Sequence, residues 1–181
     1  IKSILKGYTK SFVLLAAIIL SIQTSYSQEI SKEALLSYDS SEETSDGPTR
    51  ILFVFDASNS MNAFWSGERK IKLATKLLST SLVALYGTTD LELGLRAYGH
   101  QTKHVDGQQD CDDTELVVPI QHGSNLIIKQ ELSRLRAQGT TPIARSLEKA
   151  AGDFPEEPGR NIIILITDGI EACDEDPCAV S

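Results

Sequence analysis

The chain has 181 residues, 41% of them hydrophobic and 23% charged, with 17 Lys+Arg against 25 Asp+Glu and a formal net charge of -8. That length suits one ordinary domain with an appended tail, and the composition excludes a collagenous, low-complexity or wholly disordered chain. The acidic balance argues against a nucleic-acid partner, which needs a clustered basic surface, and leaves cations and basic protein surfaces as partners.

Residues 1–27 carry Lys2, Lys6 and Lys10 and no acidic residue, then the apolar run Phe12–Leu20, then the small-x-small triplet Ser25–Tyr26–Ser27. A basic start, a short apolar core and a small-residue cleavage site read as a secretory signal peptide. A transmembrane anchor needs ~20 apolar residues, about twice this run. No Cys lies near the cleavage point, so the usual lipoprotein attachment residue is missing. The expected location is secreted, periplasmic or extracellular, with no membrane span once the leader is cleaved. Residues 28–49, with the run Ser40–Ser41–Glu42–Glu43, hold too few apolar groups to offset ordering entropy and read as an acidic flexible linker. Residues 50–181 remain for the folded domain.

Within that domain Ile51–Phe55 is a continuous apolar run ending in Asp56, as in a parallel strand buried on both faces. Glu68–Tyr86 sets Ile71, Ala74, Leu78, Leu82 and Leu85 at helical spacing. Leu91, Leu93, Leu95 and Ala97 then alternate with Glu92, Gly94, Arg96 and Tyr98 at strand period. Glu115–Ile120 contains Pro119, which removes a ladder donor and predicts an edge strand. Helices are predicted over about 125–137 and from Pro142, with Thr141 as N-cap. Asn161–Thr167 reads as another buried apolar strand, ending at Asp168–Gly169. Strands interleaved with helices imply an α/β fold with a doubly wound, mostly parallel sheet flanked by helices. The ligand crevice of such sheets lies at the carboxyl ends of the strands. Asp56 and Asp168 both end apolar strands there, and two facing carboxylates are costly without a proton or a cation between them.

The loop Asp56–Ala57–Ser58–Asn59–Ser60 supplies a carboxylate and two hydroxyls at alternate positions. Thr141 adds a hydroxyl and Asp168 a second carboxylate. Five hard oxygens with no His or Cys suit Mg2+, with Mn2+ or Ca2+ as substitutes. Two carboxylates leave the cation incompletely satisfied, so a partner protein's Asp or Glu could complete its shell.

On these residues the sequence resembles the von Willebrand factor type A (VWA) domains, whose metal-ion-dependent adhesion site combines Asp-x-Ser-x-Ser with a distant Thr and a distant Asp. The resemblance covers about 49–181 and maps the site onto Asp56, Ser58, Ser60, Thr141 and Asp168. It implies that Ser58 and Ser60 bind the ion directly, Asp56 and Asp168 mainly through water, and that Thr141 ligates it. It also implies a Rossmann-like sheet in the order 3-2-1-4, with strand 3 antiparallel at the edge. A whole family domain would add two more strands, so the chain reads as a C-terminally truncated fragment with one side of its sheet uncovered. A closer likeness, to bacterial secreted proteins related to calcium-activated chloride channel regulators, rests on Leu95–His100, Asp110–Leu116, Asp168–Cys173 and Asp176–Pro177–Cys178. The name of that group implies ion transport, but nothing in the sequence could form a pore, so the expectation taken from it is an extracellular binding module and not channel activity.

Other groups read as bland. His100 and His104, four apart in a loop, are expected to be solvated, and His122 carries no signal. The acidic set Asp110, Asp112, Asp113 and Glu115 lacks the spacing of an EF-hand loop. The three cysteines would oxidise outside the cytoplasm; a local Cys173–Cys178 bridge is the expectation, and a link from Cys111 to either is the alternative. Phe64 and Trp65 follow the Ser loop as core or as contact rim. The leading reading is an adhesion-type, cation-dependent protein-binding module that is not an enzyme. A haloacid-dehalogenase-type phosphotransferase would use Asp56 as nucleophile, but it wants an acid two residues on, where Ser58 stands. A third reading has the ion only stiffening the loops.

Overall fold

The computed structural model describes residues 47–180. The leader at 1–27 and the linker up to Asp46 lie outside the described residues.

Strand β1 (Thr49–Asp56) is the spine. It pairs in parallel with β4 (Leu91–Tyr98) on one side and with β6 (Arg160–Ile166) on the other. Strand β5 (Thr114–His122) runs antiparallel to β4 at the outer edge, giving the order β5-β4-β1-β6. Pro119 therefore sits in an edge strand, as its missing N–H requires. Alternate β1 residues feed two cores. Phe53 and Phe55 pack with Leu93 and Leu95 against helices α1 (Lys70–Ala84) and α2 (Asn125–Arg134). Leu52 and Val54 pack on the other face with Tyr98, Ile143 and Ala150 of helix α3 (Ile143–Ala151) and its surroundings. Each fully buried Leu or Phe of this kind contributes roughly 1.5–3 kcal/mol relative to exposure.

Four expectations are corrected. Helix α1 begins at Lys70 rather than Glu68, because Glu68–Arg69 (β3) pairs with Phe64–Trp65 (β2) in a short hairpin. Its turn residues, Ser66 and Gly67, both have positive φ, 53° and 87°, as a tight two-residue turn demands. Second, β4 is buried on both faces, not on alternate residues, since it lies between β1 and β5 and is covered by helices on either side. Its Arg96 is tolerated inside because Asp153 accepts from Nε at 2.6 Å and from Nη2 at 2.8 Å.

Third, β6 is not a buried strand: its residues are exposed or half-buried, Ile164 at 39% and Leu165 at 36%. Among the described residues β6 pairs only with β1, so its outer edge and much of its side-chain surface stay open. Fourth, Thr141 does not cap α3; Pro142 occupies that position, and Glu171, from the loop after β6, accepts the Ala144 N–H at 2.8 Å. A carboxylate at the first turn also suits the helix dipole. Among the described residues, no helix is long and apolar enough to cross a membrane.

Candidate metal centre

The register that sets Phe55 beside Ile166 brings the segments after β1 and β6 together at the carboxyl end of the sheet. Asp56 is fully buried there. Its Oδ1 accepts the Ser58 N–H at 2.8 Å and its Oδ2 accepts the Thr167 hydroxyl at 2.7 Å. The chain then bends into a single 3-10 turn, Asn59–Asn62, anchored by buried Met61. This turn returns the Ser60 hydroxyl to 3.0 Å from that of Ser58, and Ser60 donates to Asp168 Oδ1 at 2.8 Å. Four of the five residues singled out from sequence thus form one chain of contacts. Thr141, from a third segment, brings its methyl carbon close to this group. A Cβ built on Gly169 would lie 3.2 Å from Thr141 Cγ2 and 3.7 Å from both Asp56 Oδ2 and Ser60 Oγ. Asp56, Ser58 and Thr141 are buried and form the floor, while Ser60 lies at the exposed mouth.

Charge is unevenly balanced. Asp168 Oδ2 is paired with the Lys70 ammonium at 2.5 Å. The two bonds to Asp56 come from neutral donors, an amide and a hydroxyl. The Tyr98 hydroxyl is buried near Asp56 and Thr167 without a well-formed hydrogen bond to either. Burial, and then the Asp56 charge, push its ionisation far above the usual phenol range.

Backbone proximity holds the Ser loop in place. Asn59 N–H donates to the Gly139 carbonyl at 2.9 Å, and Ala57 N–H to that of Tyr98 at 2.9 Å. Gly99, with φ of 68°, passes so near that a Cβ there would lie 2.7 Å from the Ser58 Cα. Asp113, fully buried, accepts backbone N–H groups of His100, Gln101 and Thr102 and so shapes the loop after β4. Its carboxylate is occupied by these bonds, which accounts for one member of the acidic set. Among the described residues no group of three or more His, Cys, Asp or Glu is placed to hold a metal. His100 is not solvated as expected: its side chain is 12% exposed and Nε2 lies 3.2 Å from Glu115 Oε2. His104 is the open one, and His122 lies against the Leu91 carbonyl.

The expected Cys173–Cys178 bridge is not the one formed. Cys111 and Cys173 are joined, with Cα atoms 5.8 Å apart across a sequence separation of 62. The loops after β4 and β6 leave the sheet at the same end, which brings these two sulfurs together; Cys178 is exposed on α4 (Pro177–Val180). Beside the site, Phe64 and Trp65 are 71% and 67% exposed on the β2–β3 hairpin. They line, with Ile51, Leu77, Ile164 and Asp168, the wall of a groove of about 800 Å³.

Sequence reasoning missed Lys70, Tyr98, Gly99, Thr167 and Glu171. Thr167 had a signal, since it directly precedes Asp168 at a strand end. Lys70 had none, because only the hairpin turns the start of α1 toward Asp168.

No family model matches the sequence. The fold is that of the VWA domains. In structure the chain is similar to an aerotolerance-related membrane protein of Bacteroides fragilis, at 23% identity, 68% of this chain, 56% of the other and a TM-score of 0.53. It is similar to the pilus adhesin SpaC of Lactobacillus rhamnosus GG, at 21%, 69%, 16% and 0.52. It is likewise similar to the vWF domain of the type V pili tip protein Mfa5 of Porphyromonas gingivalis, at 18%, 69%, 39% and 0.50. In sequence it is 34% identical over 135 residues to the uncharacterized protein YwmD of Bacillus subtilis, covering 72% of this chain, and 26% identical over 141 residues to YwmC of the same organism, covering 77%. The chain spans 59% and 62% of the length of these two relatives.

Proposed function

We propose that the protein is an extracytoplasmic, adhesion-type binding module that holds a divalent cation, Mg2+ in the first place, at Asp56, Ser58, Ser60, Thr141 and Asp168. The observation that carries this reading is the spacing of the oxygens. The Ser58 and Ser60 hydroxyls, the two that would bind the ion directly, are 3.0 Å apart, and the Asp168 carboxylate, which would act through water, lies 2.8 Å from Ser60. Neighbouring ligands of an octahedral ion with bonds of ~2.1 Å stand ~3 Å apart. The donor chemistry fits as well: carboxylates and hydroxyls suit a hard cation. So does the charge, because among the described residues the buried Asp56 accepts from an amide and a hydroxyl, both neutral, which leaves a negative centre that a cation would offset.

Bound there, the ion would supply a Lewis-acidic position for a carboxylate from a partner protein. The chain's own groups do the rest. Asp56 fixes the Ser58 amide, Thr167 fixes Asp56, and the buried floor lowers the local dielectric for whatever closes over it. Phe64 and Trp65 stand at the rim, where exposed aromatics serve as contact anchors. SpaC is a pilus adhesin and Mfa5 a pili tip protein, and a module of that kind on this fold supports an adhesive, non-enzymatic role outside the cytoplasm. The Cys111–Cys173 bridge suits the same compartment. Ser58 stands where phosphoryl transfer would want an acid, so the phosphotransferase reading gains no support from the site.

The test is a peptide-display selection on the immobilised chain in Mg2+, eluted with EDTA. Enrichment of Asp- or Glu-bearing peptides that are lost from an Asp56→Ala chain of unchanged circular dichroism is expected. Selection indifferent to EDTA, or without carboxylates, overturns the reading.

A further inference from the structure

We infer that Lys70 is a built-in competitor for the cation, holding Asp168 in position while no divalent ion is bound and setting how much ion is needed to fill the site. This rests on the metal reading above. Both oxygens of Asp168 are engaged at once: Oδ1 by the Ser60 hydroxyl at 2.8 Å and Oδ2 by Lys70 Nζ at 2.5 Å. The pair is sheltered, with side chains 29% and 14% exposed for Lys70 and Asp168, so screening by solvent is partial.

Lys70 cannot drift away with its element. Its backbone N–H donates to the Ala63 carbonyl at 2.9 Å, closing the loop that contains the hairpin and the end of the Ser turn. The ammonium therefore starts from an anchored point next to Asp168. Without it, the Asp168 carboxylate would lose the positive charge that neutralises it, while the buried Asp56 lies in the same group of side chains, and like charges at short range repel. A divalent ion arriving among the same oxygens meets a positive charge already at Asp168. Its affinity is lowered by that repulsion and by the loss of the Lys70–Asp168 pair.

Removal of the ammonium should therefore act in opposite directions on two measurements. Lys70→Met should bind Mn2+, followed by titration calorimetry, about tenfold or more tightly than the natural chain. The same variant should melt at a lower temperature than the natural chain in EDTA. Lys70→Arg, which keeps the charge, should stay near the natural affinity. Lys70→Gln serves as a second neutral variant should the Met form fold poorly. Unchanged or weaker Mn2+ binding in the neutral variants, while the natural chain binds Mn2+, overturns the role of Lys70 and leaves the metal reading standing. Absence of Mn2+ binding in natural and neutral forms alike overturns both.

Discussion

Gly99 and Ser58 touch through their backbones: a methyl group on Gly99 would fall 2.7 Å from the Ser58 α-carbon and 2.5 Å from the Thr140 carbonyl oxygen. These neighbours are main chain and cannot step aside, and φ at Gly99 is 68°. Gly99→Ala should therefore cost about 2–4 kcal/mol, from overpacking together with a left-handed backbone. Urea unfolding checks the stability, and calorimetry should show weaker Mn2+ binding in the surviving folded fraction. A neutral outcome would mean that the Ser loop is not held by this contact.

Arg96 and Asp153 form a two-pronged pair with both side chains mostly buried, 7% and 11% exposed. Asp153→Ala leaves a buried guanidinium with, among the described residues, only Thr114 as a side-chain hydrogen-bond partner, and should cost about 3–5 kcal/mol. Replacing both, as Arg96→Met with Asp153→Leu, should cost less than the single change. Chemical denaturation of the single and double variants gives the comparison.

The bridge between Cys111 and Cys173 closes a loop across 62 positions of sequence. On the chain-entropy view its loss as Cys111→Ser should lower stability by ~4 kcal/mol. Peptide mapping without reductant should recover 111 linked to 173; a fragment linking 173 to 178 would contradict the structure.

Trp65 and Phe64 are exposed on their hairpin, so Trp65→Ala should change folding stability by less than about 0.5 kcal/mol. If they are the rim of the binding face, the same variant should weaken the selected acidic peptide by about tenfold or more. Equal affinity would restrict binding to the ion itself.

Much of this was legible beforehand because it rests on local chemistry. The apolar run Ile51–Phe55 and the proline at 119 determine which strand is central and which is at the edge. The Asp56 loop is contiguous in sequence, so its oxygens could be read as a set. What stayed hidden depends on where separate segments meet. Asn161–Thr167 looks buried because its residues are apolar, yet burial depends on what lies beside the strand, and β6 has only β1 there among the described residues. Thr141 looks like a cap because it precedes proline, whereas Glu171, 27 positions away from Ala144, does the capping. The cysteine pairing likewise follows from two loops leaving one end of the sheet, which spacing along the chain does not reveal.

The chain contains a single tryptophan, and it is the exposed one on the hairpin next to Asp168. Indole emission shifts toward the blue when water leaves the ring, so the natural fluorescence of this protein is a label-free gauge of anything that settles over that rim.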